Sequence, residues 1–207
     1  MHAHTTSQGT RENTIVGSVR AIKSLLVATV GGFALLVVFG NVTDYDTNFQ
    51  FVKHVLAMDA RRPDLGLTIE YRAIPWEWAW HAAYIGVIIT EAFIMVACLY
   101  GAVKMFMNIR RSDAEFNGAK RWALWGLAVG LFLWFFGFQA VGGEWFGMWM
   151  NESWNGIPDA VRLCTYIATV LIITLIGGDR IDEEPHEILA LSAHDEPAVT
   201  PGSGDLR

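Results

Sequence analysis

The sequence predicts an all-α membrane protein: four transmembrane helices in a bundle, a short amphipathic helix in the first outer loop, and disordered polar termini. Three observations carry that prediction. The 207 residues are 53% hydrophobic and 17% charged, too apolar for an ordinary water-soluble domain with polar tails. The charges are also grouped. Residues 24–43, 122–143 and 163–178 contain no Asp, Glu, Lys or Arg, and between His81 and Lys104 the one such residue is Glu91. Finally, four apolar stretches, at about 22–40, 79–106, 122–141 and 159–177, match or approach the ~20 residues that a helix needs to cross a hydrocarbon core roughly 30 Å thick.

Residues 1–20 are small and polar and are expected to be a disordered N-terminus. The four-helix domain then runs over 21–178. Its first span, 22–40, is longer than the usual core of about 7–15 residues in a signal peptide, and the following "FGNVTDYD" has no small-residue cleavage pattern, so it is read as a retained helix. In the outer loop 41–78, the run "NFQFVKHVLAMD" repeats Phe49, Val52 and Leu56, and Phe51, Val55 and Met58, at helical spacings. Its polar face carries Gln50, Lys53, His54 and Asp59. That pattern predicts a helix lying on the membrane or capping the bundle, with Asp46 or Thr47 at its start and a break at Pro63 and Gly66.

The second span, 79–106, leads into an inner loop at 107–121 that holds Arg110, Arg111, Lys120 and Arg121. The third span, 122–141, is followed by an outer loop at 142–158 without Lys or Arg. The fourth, 159–177, is the shortest, and the long stem of Arg162 lets its charge reach the headgroups. Residues 179–207 are expected to be a disordered tail, because 179–205 hold eight acidic residues to one basic, with three prolines. The basic residues of 107–121, with Arg11, Arg20 and Lys23, place both termini in the cytoplasm by the positive-inside rule. Trp76, Trp78, Trp80, Trp145, Trp149 and Trp154 gather at the outer ends of the spans, and Trp122 and Trp125 at an inner end, as interfacial belts do. No repeat links the two halves, which weighs against an inverted-repeat transporter.

Several chemistries are excluded at this level. Both cysteines, Cys98 and Cys164, fall inside spans toward opposite faces, too far apart for a disulfide and away from the loops where thiol chemistry works. A membrane haem needs two facing histidines, whereas His81 alone lies in a span. No phosphate loop, nucleophile elbow or zinc-protease helix is present. No basic patch interleaved with aromatics suggests a nucleic acid. No cofactor is expected.

Two groups of residues remain. Glu91 lies near the midpoint of the second span, where an ionised carboxylate costs about 2.5–3.5 kcal/mol on insertion scales. With no cation at matching depth, the neutral acid is the cheaper form and still needs hydrogen-bond partners. Thr29 with Gly31 and Gly32, Trp134, and Thr169 lie at similar depth on the other spans, so Glu91, Thr29 and Thr169 are the intramembrane candidates. A polar clasp in the bundle core is favoured over a proton- or ion-binding site. The second group is an outer-face polar cluster of Asp44, His54, His81, Gln139 and Glu144, with Asp46 and Glu77 beside it. Two histidines with carboxylates suit a divalent metal, but no two of the five cluster residues have the i, i+3 or i, i+4 spacing of strong ligand motifs, so no metal is expected and a hydrogen-bonded cluster pinning the loop is preferred. His81 and Glu91 are ten residues apart, about 15 Å of helical rise, and do not share one ligand atom.

The runs "NVTDYDTNFQFVKHVLAMD", "HAAY…TEA", "FNGAK", "GFQAVGGEWFGMW" and "WNG" resemble a bacterial family of predicted small integral membrane proteins, domain of unknown function family 2165, over roughly residues 20–178. The resemblance implies a four-helix bacterial inner-membrane protein and supplies no catalytic residue. The leading expectation is a non-enzymatic accessory or interaction subunit, with the lipid bilayer around it and a membrane protein or a second copy as partner. The alternatives are a small proton- or ion-coupled transporter using Glu91, or an outer-face metal or redox module.

Overall fold

A computed structural model describes residues 3–59 and 69–176, with side chains from Thr14 onward. The tail expected at 179–207 and the break expected at Pro63 and Gly66 lie outside the described residues. The described elements are α1 (Ala3–Thr43), α2 (Tyr45–Ala57), a 3-10 turn (Glu70–Arg72), α3 (Glu77–Met107), α4 (Asp113–Ala119), α5 (Arg121–Phe132), a π-helix (Leu133–Trp145), a second 3-10 turn (Met148–Met150) and α6 (Ile157–Leu175). Four helical stretches, Thr14–Thr43, Glu77–Met107, Asp113–Trp145 and Ile157–Leu175, are long and apolar enough to cross a membrane.

The backbone of the first helix is helical from Ala3, so α1 continues back into the polar stretch that precedes the first span. Adding a residue to an existing helix gains a hydrogen bond without a new nucleation step, so a long apolar helix extends into polar sequence at little cost. The inner loop is more ordered than its composition indicates. Ser112 and Glu115 form a reciprocal capping box that starts α4, with Ser112 Oγ accepting from the Glu115 amide and Glu115 Oε2 accepting from the Ser112 amide at 3.1 Å.

Helices α1 and α3 run antiparallel in close contact. A Cβ at Gly31 would lie 2.8 Å from Leu99 Cγ and 2.9 Å from the Leu99 amide nitrogen, whereas Gly32 faces open space. Of the two glycines expected to admit a neighbouring helix, Gly31 does so. On its other side α3 meets α5 even more closely, because a Cβ at Gly101 would come within 2.4 Å of the Ala123 nitrogen. Val27, Ile94, Cys98, Met105, Leu127 and Ile167 form the main buried core between α1, α3, α5 and α6. Cys98 and Cys164 are both free thiols.

The third span changes character midway, from α-helix to a π-helix over Leu133–Trp145. Wide π turns are uncommon and concentrate where a helix has a functional or packing reason to unwind. Gly147, at φ 64°, then turns the chain in the left-handed region that glycine adopts without strain.

At the end of the bundle where α6 finishes, the Arg20 guanidinium is wholly buried. It donates to the carbonyls of Ile109 (3.0 Å) and Arg111 (2.6 Å), pairs with Asp113 (2.6 Å) and lies 4.7 Å over the Phe116 ring. A cation placed against the carbonyls that follow α3 offsets the negative end of that helix. Lys23 caps the end of α6 in the same way, donating to the Ile176 carbonyl.

At the opposite end, α2 folds back against α3 as the amphipathic pattern predicts, burying Phe49 and Val55. Its start differs from the expectation. The Asp44 amide still bonds the Gly40 carbonyl (2.8 Å), so α2 begins at Tyr45 immediately after α1, and neither Asp46 nor Thr47 caps it. Thr47 instead donates to Asp44 (2.8 Å) and Gln50 to Asp46 (3.0 Å). A second apolar cluster of Val55, Met58, Phe146 and Met148 seats α2 on the loop that follows the π-helix.

Candidate functional site

The Glu91 side chain is 96% buried by virtue of its place on the face of α3 that meets α1, with 4% of its surface exposed. Its Oε2 accepts a hydrogen bond from Asn41 Nδ2 at 2.6 Å. Asn41 is itself held, because Asn48 Nδ2 donates to its Oδ1 at 2.7 Å and the Tyr84 hydroxyl donates to its carbonyl at 3.4 Å. Asn41 lies two residues before the end of α1. Glu91 is therefore nearer the α2 end of the bundle than its place midway along its own helix indicates.

The two threonines expected as partners do not reach it. Thr29 donates to the Leu26 carbonyl (2.7 Å) and Thr169 to the Thr165 carbonyl (2.7 Å), each within its own helix, where a hydroxyl finds an acceptor without crossing the bundle. The partner that sequence reading missed is Asn41. One signal was available: an amide at the end of a charge-free run, in "FGNVTDYD".

From Asn41 the polar contacts continue toward the loops. Tyr45 packs against Tyr84 with ring centroids 4.7 Å apart and planes inclined by 58°, and its hydroxyl meets His81 Nδ1 at 2.9 Å. His81 is also stacked on Phe49, with centroids 4.1 Å apart and planes 8° from parallel. Burial raises the Tyr45 phenol above its ordinary value, which keeps its O–H intact for this bond. Glu91, Asn41, Asn48, Tyr84, Tyr45 and His81 thus form one interhelical seam that fastens α1 and α2 to α3.

The other members expected in the outer polar cluster are dispersed. His54 Nδ1 meets Asp59 at 2.8 Å and its ring stacks on Trp154 at 4.7 Å. Gln139 donates to Cys164 Sγ at 3.2 Å, Asp44 accepts from Thr47, and Glu77 lies 3.9 Å from His81 Nε2. Glu144 is exposed. Among the described residues no three His, Cys, Asp or Glu side chains are grouped to hold a metal ion. The five cluster residues are spread over α2, α3, the π-helix and the turn before α2, and His54, Gln139 and Asp44 each bond a different neighbour.

Two cavities meet at Glu91. One, of about 440 Å³, opens between α1 and α6 and is walled by Phe33, Val37, Ile94, Trp134, Tyr166 and Ile167, with Thr29 and Arg162 also on its lining. The second, of about 380 Å³, lies beneath α2 and shares Val37, Glu91 and Trp134 with the first. Among the described residues, Oε1 of Glu91 has no protein partner and is not sealed from these spaces. One carboxyl oxygen is thus spent on the helix seam and the other faces a cavity.

No curated protein and no solved structure matches the chain. The family model for DUF2165, predicted small integral membrane protein, matches residues 19–176, which takes in all four membrane helices and the Asn41–Glu91 seam. The chain belongs to that family.

Proposed function

We propose that this integral membrane protein is a non-enzymatic accessory or interaction subunit of the bacterial inner membrane, docking other apolar helices, or a second copy of itself, against its outer surface. The observation that carries this reading is how little of each span the chain covers. Within the most apolar windows of the four helices, 22%, 28%, 22% and 28% of residues are buried. The remaining surface is apolar helix, the kind on which membrane helices associate through close packing. The interior polar groups, Arg20, Asn41 and the Tyr45–His81 pair, are occupied in joining one helix to the next. Arg20, Lys23, Arg111 and Lys120 lie at one end of the bundle, which supports cytoplasmic termini under the positive-inside rule.

Purification of the tagged full chain in a mild detergent, followed by mass spectrometry and a native mass measurement, tests the reading. A stoichiometric membrane partner or a defined homo-oligomer is the expected result. A monomer that carries no stoichiometric partner would overturn it.

A further inference from the structure

We propose that the cavity between α1 and α6 is a binding site for a lipophilic organic monocation, whose charge meets the Glu91 carboxylate while its apolar body lies among Phe33, Val37, Ile94 and Trp134. The volume of about 440 Å³ is within the range of roughly 300–1,000 Å³ typical of small-molecule sites, and the lining is mostly apolar with one buried acid. The pattern of charge selects the ligand. Among the described residues Glu91 is held by the neutral amide of Asn41 and meets no cation, so its ionised form has no counter-ion unless a ligand supplies one.

Among the described residues, the titratable and charged groups around the two cavities are Glu91 and Tyr84 from α3, and Asp159, Arg162 and Tyr166 from α6; neutral polar neighbours are Asn41 and Thr29 from α1, Asn48 from α2 and Trp134 from the π-helix. Arg162 is already paired with Asp159 at 2.9 Å, so its charge is balanced at the cavity mouth. Trp134 and Phe33, both on the cavity lining, supply the aromatic rings that attract a cation.

The charge balance gives the site a signature. A carboxyl enclosed by apolar groups is cheapest in its neutral form. An entering cation displaces that proton, so the site exchanges one positive charge for another and releases one proton to solvent. A lipophilic anion has no such exchange open to it, and a neutral ligand releases no proton.

Isothermal titration of the full-length protein in detergent with tetraphenylphosphonium tests this, using two buffers of different ionisation heat across a pH series. Tetraphenylborate, of the same shape and opposite charge, is the control. The expected result is one cation bound per site with release of one proton, and an affinity that rises about tenfold per pH unit until Glu91 is ionised. Glu91→Gln is expected to lose binding by at least about tenfold, and Trp134→Leu to weaken it a few-fold while keeping the pH slope. Equal binding of tetraphenylborate, absence of proton release at every pH, unchanged binding by folded Glu91→Gln, or no binding of the cation would each overturn the proposal. If Glu91→Gln does not fold, the proton count on the native chain and the Trp134→Leu variant still decide.

Discussion

The side-chain amide of Asn41 donates to Oε2 of Glu91 at 2.6 Å, fastening the end of α1 to the face of α3. This bond sets the level at which the two helices pair, and Gly31 against Leu99 sets their separation. A carboxyl inside a membrane helix is expensive on its own. Here it is offset by a donor from the neighbouring helix, and the donor is in turn positioned by Asn48 and Tyr84.

The two adjacent glycines of α1 separate close packing from helix propensity. Gly31→Ala forces a Cβ against the Leu99 backbone and should destabilise the bundle by about 1–3 kcal/mol. Gly32→Ala meets nothing within 4 Å and should leave the unfolding midpoint unchanged or slightly raised. Thermal unfolding of both variants in the same detergent checks the contrast.

Arg20 should tolerate no replacement well. Its guanidinium spans the Ile109 and Arg111 carbonyls and Asp113 at once. A lysine at this position offers a point charge without the planar fork. Arg20→Lys should cost about 1–3 kcal/mol, and Asp113→Asn less, because the two carbonyl contacts remain. Chemical denaturation of the two variants gives the order directly.

Tyr45→Phe keeps the ring contacts with Tyr84 and Phe49 and removes the hydroxyl bond to His81. The expected loss is about 1 kcal/mol at neutral pH. Because burial raises the phenol above 10.0, its contribution is fully present below that value and declines as pH rises through the folded-state value. The stability difference between native chain and variant should therefore be flat from about pH 7 to 9 and shrink above about 10. Tyrosine absorbance against pH locates the ionisation.

Much of this architecture is legible in the residues. Charge-free runs mark the spans because ionised side chains are costly in hydrocarbon, and the 3.6-residue spacing of Phe49, Val52 and Leu56 marks α2. The π-helix at Leu133–Trp145 is not legible, since widening a turn leaves the hydropathy of "LWFFGFQAVGG" unaltered. Glu91 stands out as a lone acid, but its partner is a matter of which helix lies beside α3 and at what level. Equal depth pointed to Thr29 and Thr169, whose hydroxyls are satisfied locally; the long-range contact went to an amide, which cannot be served so simply by its own helix. The outer polar residues were visible one by one, and their distribution over separate faces is tertiary information.

The most direct test of the Asn41–Glu91 seam is a double-mutant cycle with Asn41→Leu and Glu91→Met, read by reversible unfolding in detergent. Each single variant leaves its Asn41–Glu91 partner without that bond and should cost about 1–3 kcal/mol; Asn41→Leu also removes the acceptor of Asn48 in both the single and the double variant, so that loss cancels in the cycle, and the double variant should be distinctly more stable than the sum of the two losses. Strictly additive losses would show that Asn41 and Glu91 are not coupled and would contradict the account.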